Sequence, residues 1–373
     1  MSGRIKNPKI VISGYYGYDN CGDEAVLLSI LHCLRKLKSD LRITVLSGNP
    51  KKTAAHYGVC AISRWSLPAI IRELSTATLL ISGGGSLIQD VTSVRSPGYY
   101  LGIIRLALML RKRVMIYSQG IGPLTNESNR ANTAKVFSRC NAITLRDAGS
   151  AELLKEIGVK KELLVACDPV LALSRGDVSD NMMGKLLDEF GIAAAENKPR
   201  KPLLFVSIRT WNNNPHFMPV AKFLDDQIES GWDVILVPAH FPDDVAAGKA
   251  IVMLMSTKPY EIDRALSAEE FIALTAAADS VLSMRLHGLI CASAVGTPIF
   301  GLSYDPKVAA FMKQCGHEES CLSYDDPDLG NKVHMAYAGH HLSKKSLDES
   351  PAIDSRLNDL AWESARIAVD LLK

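Results

Sequence analysis

No uninterrupted apolar run among these 373 residues approaches the length of a membrane span. The opening segment, MSGRIKNPKIVISGYYG, has basic residues but lacks the long apolar stretch of a signal peptide. Together these absences predict a soluble, cytoplasmic protein. The eight cysteines, at 21, 33, 60, 140, 167, 291, 315 and 321, include no CxxC pair and no clustered His/Cys ligand set, so reduced thiols are expected. An excess of one charge is also missing. The formal net charge is +2, and with no zinc-finger spacing and no aromatic-basic repeat, bulk binding to nucleic acid is not expected. There is no low-complexity run and no short-period repeat. What remains is a globular composition, 47% apolar and 22% charged, in a chain long enough that two domains are the natural expectation.

Short apolar runs alternate with helical stretches from the start. Lys9 to Ser13 reads as a strand, followed by a polar glycine loop and a helix to about Lys38. Gly17 and Gly22 have the gap of a P-loop, but Asp23-Glu24 stands where Lys-Ser/Thr is needed, and Gly14, Gly17 and Gly22 do not make GxGxxG. Two readings of this loop stand side by side. Acidic residues complement a helix start, or Asp19, Asn20 and Asp23 hydrogen-bond the hydroxyls of a neutral polyol. Arg42 to Leu46 and Leu79 to Ser82 are further strands. The second runs into Gly83-Gly84-Gly85-Ser86, then Gln89-Asp90, a stretch where a ligand can approach the backbone closely.

Tyr99 to Leu110 is a strongly apolar helix followed by Arg111-Lys112-Arg113. It is a core helix with a cationic end, or a surface that touches the inner face of a membrane. Val114 to Ser118 and Ala142 to Leu145 are strands, the latter ending at Arg146-Asp147. Leu163 to Ala166 and Asp168-Pro169 close an α/β domain expected over 1–175.

Residues 176–201 shift toward Asp, Asn, Lys, Gly and Pro around one weak helix and read as a linker. A second α/β domain is expected over 202–345, starting with Leu203 to Ser207 and a loop of Arg209, Trp211, Asn212, Asn213, Asn214 and Pro215. Asp233 to Pro238 is a strand leading to His240, and Ala268 to Ala278 is a helix. The chain is organised around Ser280 to Lys307, a βαβ pattern in which one strand end runs into Arg285-Leu286-His287-Gly288 and the next into Tyr304-Asp305-Pro306-Lys307. Ligands sit at the carboxyl ends of parallel strands, and helix starts bind anions. Two cations and a histidine there predict a small, doubly anionic ligand. Ser350-Pro351 predicts the cap of a last helix, 350–373, packing back across the domain junction.

Ile12 to Ala25, Ser82 to Ser86, Gln119 to Pro123, Thr144 to Asp147, Asp168-Pro169 and Met284 to Gly288 together resemble, in the same order, the bacterial polysaccharide pyruvyl transferases. The likeness is to the CsaB type, which acts on secondary cell-wall polymers that anchor S-layers. The resemblance implies two facing doubly wound, Rossmann-like domains of the GT-B class with a ligand cleft between them. It also implies transfer of the pyruvyl group of phosphoenolpyruvate to two hydroxyls of a sugar, with release of phosphate. An N-acetylmannosamine-type residue of a lipid-linked precursor is the acceptor it suggests. By the same matching His287 is the general acid, and Arg146, Arg285, Leu286 and Lys307 bind the donor. Asp19, Asn20, Asp23, Gly84, Gly85, Ser86, Gln89 and Asp90 are the candidates for the acceptor side. No cofactor and no metal are required. The alternatives are a GT-B glycosyltransferase using a nucleotide sugar and a non-catalytic polysaccharide-binding protein.

Overall fold

Runs such as Ile10-Val11-Ile12 and Leu79-Leu80-Ile81 are continuous apolar segments, the signature of strands covered on both faces, and all six side chains are buried. Each contributes about 1.5–3 kcal/mol by leaving water. The computed structural model describes residues 7–91, 93–192, 200–212, 217–344 and 355–373. The chain divides into two compact units, Met1–Ala172 with Arg356–Lys373, and Leu173–Ser355.

In the first unit the strands are β1 (Lys9–Tyr16), β2 (Arg42–Ser47), β3 (Cys60–Ser63), β4 (Leu79–Ser82), β5 (Gly85–Ile88), β6 (Arg113–Ile121), β7 (Ala142–Leu145) and β8 (Leu164–Val165). They form one sheet in the order β3-β2-β1-β4-β6-β7-β8, with β5 paired to β6. In the second unit β9 (Leu203–Ser207), β10 (Asp233–Leu236), β11 (Tyr260–Glu261), β12 (Ser280–Ser283), β13 (Ile299–Ser303) and β14 (Cys321–Ser323) run in the order β11-β10-β9-β12-β13-β14. Every pairing between described strands is parallel. Both sheets are doubly wound. The winding reverses at β1/β4 in one and at β9/β12 in the other, and the crevice outside the strand ends at such a switch point is where ligands bind in this architecture.

One expectation changes. The weak helix in the stretch read as a linker is Asp180–Glu189, and it packs on Ala268–Ala277 within the second unit. Its polar composition reflects one solvated face; Leu186 and Ile192 turn inward. Arg264 ties it down with paired bonds to Glu189 at 2.8 and 2.9 Å and further bonds to Glu270 at 2.9 and 3.2 Å. The predicted Ser350-Pro351 cap lies outside the described residues. The last helix, Ser355–Asp370, is part of the first unit. There Ser364 Oγ bonds Ser118 Oγ at 2.8 Å and Thr144 Oγ1 at 2.9 Å, and Asn358 Nδ2 donates to Leu171 O at 2.8 Å.

The helix Ser96–Met109 is a core element, since Tyr100, Leu101, Ile103, Ile104 and Ala107 belong to the first unit's apolar cluster. The basic run after it has structural work. Lys112 Nζ donates to Ser75 O at 2.7 Å, capping the preceding helix, while Arg113 opens β6 and donates to Leu371 O. Arg111 is the exposed member of the three.

Candidate functional site

In the second unit β12 delivers Arg285 as the N-cap of the helix Leu286–Val295, whose second residue is His287. Gly288 makes this approach possible, because a Cβ there would stand 2.5 Å from Ser283 Oγ. Arg285 is not a free cation. Its Nε donates to Asp244 Oδ2 at 2.9 Å and its Nη2 to Asp244 Oδ1, a two-point grip on a buried carboxylate. Asp244 Oδ2 also accepts from the backbone N–H groups of Ala239 at 3.1 Å and His240 at 2.9 Å, just past the end of β10. Asp244 therefore aims the guanidinium, and the Arg285 N–H groups it does not use can meet a ligand.

At the neighbouring strand ends, Lys307 lies in the first turn of the helix Pro306–Gln314, capped by Asp305, which accepts from Lys307 N at 2.9 Å. Arg209, just past the end of β9, donates from Nη1 to Tyr304 Oη at 3.1 Å and sits 5.2 Å from the Tyr304 ring and 5.7 Å from that of Trp211. Its buried Nε has no hydrogen-bond partner among the described residues. The topology thus places Arg209, Arg285, His287 and Lys307 at the carboxyl ends of three adjacent strands, β9, β12 and β13. Leu286 begins the helix between Arg285 and His287 and is half-buried. Arg209 and Asp244 were not among the expected site residues. The signal for Arg209 was its place after a buried strand; Asp244, inside a helix start, offered none.

In the first unit Arg146, at the end of β7, is buried. Its Nη2 donates to Ser86 Oγ at 2.9 Å, and Asp168 Oδ2 and Asp147 Oδ2 lie 3.5 and 3.6 Å from its Nη1 and Nε. The guanidinium lies across Gly120, where a Cβ would stand 2.6 Å from Nε. Gln119 donates from Nε2 to Ser82 Oγ at 2.7 Å and to Gly83 O at 2.8 Å. Its Oε1 has no hydrogen-bond partner among the described residues.

Gly85 is required twice over. Its φ is +86°, and a Cβ there would stand 2.9 Å from Asp23 Oδ1. Gly84 is held closely too, its absent Cβ falling 2.8 Å from Val26 Cγ1. The structure thus brings Asp23, Gly84, Gly85 and Ser86 together with Arg146, Asp147 and Asp168 at the β1/β4 switch point and the strand ends beside it.

Other expected residues have structural partners. Asn20 caps the helix Cys21–Leu37 by accepting from Gly22 N at 3.1 Å and Asp23 N at 3.4 Å, and Asp19 is paired with Lys52. Gln89 Oε1 accepts from Val91 N at 3.0 Å. Asp90, 4% exposed, accepts from Thr125 N and Oγ1, Asn126 N and Asn129 Nδ2 at 2.8–3.1 Å, so it locks one loop to another. Those bonds outweigh the cost of its burial and hold its pKa at about 2. Burial pushes the Glu24 carboxyl up, against bonds from Gly17 N at 2.7 Å and Tyr57 Oη at 2.7 Å that favour its charged form. Tyr16, also unexpected, is wholly buried between Gly14 and Gly83, with a hydroxyl lacking a partner among the described residues and a pKa driven well up by burial and by Asp23.

Among the described residues no helix is long and apolar enough to cross a membrane, and no group of three His, Cys, Asp or Glu is arranged to hold a metal ion. The family model described as polysaccharide pyruvyl transferase matches residues 20–306. The amylovoran biosynthesis protein AmsJ of Erwinia amylovora is 22% identical, over 83% of this chain and 87% of its own length. Among solved structures, the fold is similar to the UDP-GlcNAc 2-epimerase of Methanocaldococcus jannaschii (TM-score 0.65, 14% identity, 98% of this chain and 99% of that one). It is also similar to HepE of Anabaena, solved with UDP-glucose (TM-score 0.62, 13% identity, 97% and 98%). ADP-heptose LPS heptosyltransferase II of E. coli follows at a TM-score of 0.53 with 12% identity, over 91% of this chain and 99% of that one. At such identities these likenesses establish a GT-B-like fold of two Rossmann-like domains and nothing about the ligand.

Proposed function

Because the chain belongs to the polysaccharide pyruvyl transferase family, we propose that it takes its pyruvyl group from phosphoenolpyruvate and closes it as a cyclic ketal on one sugar of a lipid-linked polysaccharide precursor. The observation that carries the donor reading is the group on β9, β12 and β13: Arg285 aimed by Asp244, with Arg209, His287 and Lys307 beside it. Phosphoenolpyruvate presents a carboxylate and a phosphate close together. A planar guanidinium suits a two-point bond to either, and lysine suits a point contact on the leaving phosphate. Arg146 is read as a further donor ligand, and the acceptor as an N-acetylmannosamine-type residue held by Asp23, Gly84, Gly85 and Ser86.

In this reading His287 gives a proton to C3 of the enol phosphate, which makes C2 electrophilic. The first sugar hydroxyl adds at C2 as its proton passes to a carboxylate such as Asp23. The C2–O bond to phosphate then breaks with its electron pair, the second hydroxyl adds, and its proton leaves with the phosphate. Once the carboxylate's proton has returned through solvent to His287, the sum is one phosphoenolpyruvate and one diol giving one ketal and one phosphate. The test is incubation with phosphoenolpyruvate and a panel of lipid-linked disaccharides, followed by mass analysis. A product heavier by one pyruvyl ketal, with phosphate released in equal amount, is expected. Consumption of a nucleotide sugar with no ketal formed overturns the proposal in favour of a glycosyltransferase.

A further inference from the structure

Arg64 follows the edge strand β3, and only 4% of it is exposed. Its Nη1 donates to Gly14 O at 3.1 Å, while its buried Nε has no hydrogen-bond partner among the described residues. The rings of Tyr99, Trp65, Tyr100, Tyr18 and Tyr15 lie 4.4, 5.2, 5.3, 5.5 and 5.9 Å from the guanidinium carbon, all within cation–π reach. Burial works against its charge, while Tyr100, in part through a hydrogen bond, and then Tyr99 and Tyr18 raise its pKa; no carboxylate is among these leading influences. Arg146 and Arg285, by contrast, each meet a buried carboxylate. Taking a cation out of water without a counter-ion is costly, and here aromatic side chains rather than a carboxylate stand against that cost.

The cluster has an open side and a neighbour of interest. Trp65 is 67% exposed, and Leu67 and Ile71, on the helix that follows, are also exposed. Tyr18 immediately precedes Asp19 and Asn20, and Tyr100 interacts with Asp23, so the cation borders the loop read as the acceptor side. We propose that Arg64, with Tyr18, Trp65 and Tyr99, is a subsite for a phosphate ester carried by the acceptor. The guanidinium pairs with the anion, and the ring faces cover the adjoining sugar or lipid carbon. Naming the acceptor rests on the proposed function; the binding of phosphate does not.

The test uses inorganic pyrophosphate as the probe and Trp65 as the reporter. In wild type a saturable change in tryptophan fluorescence, weakened by salt, is expected. In Arg64→Gln affinity should fall about 10- to 100-fold, the scale of a lost charge-assisted bond, with Arg64→Lys intermediate and available if the glutamine variant does not fold. Trp65→Phe should lose the signal, which excludes a response from the other three tryptophans. A wild type without saturable binding, or equal affinity in every Arg64 variant, overturns the subsite. A second arm compares a phosphate-bearing acceptor with the same saccharide lacking phosphate. The wild-type difference in acceptor KM should collapse in the Arg64 variants while the KM for phosphoenolpyruvate stays unchanged, and a difference that persists overturns the subsite. Pyrophosphate binding without any ketal product would overturn the functional reading and leave the subsite standing.

Discussion

The strand ends of the two units carry the same device, a partly or fully buried arginine facing a carboxylate, and use it differently. Arg285 is gripped at two points by one aspartate whose oxygen is also occupied by two backbone amides. Arg146 is shared among Ser86, Asp168 and Asp147, and both carboxylates stand off at 3.5–3.6 Å. Around Arg285 the other groups are cationic or imidazole: Arg209, His287 and Lys307. Around Arg146 they are carboxylates and hydroxyls. Under the proposed function the group around Arg285 serves the anionic donor, and the carboxylates beside Arg146 serve the hydroxyls of the acceptor. The difference teaches that the same residue type after a strand has no fixed role; what surrounds it decides.

The sharpest way to break this contrast is His287→Ala. A general acid contributes to the transition state more than to the ground state, so turnover should fall by about 10²–10⁴-fold while phosphoenolpyruvate affinity, measured by calorimetry, changes little. Near-normal turnover removes His287 from the mechanism.

Next in size is Asp244→Asn. Removing one partner of a buried pair leaves the other uncompensated, so a stability loss of about 3 kcal/mol and a rise in phosphoenolpyruvate KM of about tenfold or more are expected. The matched change in the other unit, Asp147→Asn, should cost about 1 kcal/mol or less in thermal melts, because the Arg146 contact is long and shared. Equal losses from the two substitutions would erase the distinction between a locked and a shared arginine.

The smallest effect concerns the loop lock at Asp90. Its folded pKa, about 2, is lower than the ordinary aspartate value near 3.9. Its contribution to stability is therefore fully present above about pH 4 and lost as pH falls through about 2. Urea titrations of wild type and Asp90→Asn should differ at pH 6 and converge toward pH 2. A difference independent of pH would show that the carboxylate charge is not what holds the loop.

Much of the fold was legible. β4, β7 and β9 begin and end where the apolar runs do, because a strand buried on both faces is a local pattern bounded by local breakers. β3 was not legible. Cys60–Ser63 is an edge strand of half-buried and exposed residues with no continuous apolar run, and missing it hid Arg64, which follows. The weak helix expected inside 176–201 is present as Asp180–Glu189, but its contacts with Ala268–Ala277 make it part of the second unit rather than a linker, and such contacts leave no local signal.

By itself the sequence determined the alternation of strands and helices, the two-unit architecture, and the placement of Arg146, Arg285, His287 and Lys307 at strand ends. Each of these depends on neighbours within a few residues. Only the tertiary structure decided that Arg285 meets Asp244, 41 residues away. It also decided that Asp90 is saturated by a distant loop, that Arg64 lies within about 6 Å of five rings drawn from three segments, and that the last helix bonds to Ser118 and Thr144. These partners follow from strand order. The order β10-β9-β12-β13 sets the loops after those strands side by side, and the energy that selects one order over another comes from burial summed across the whole sheet, which no local run of residues encodes.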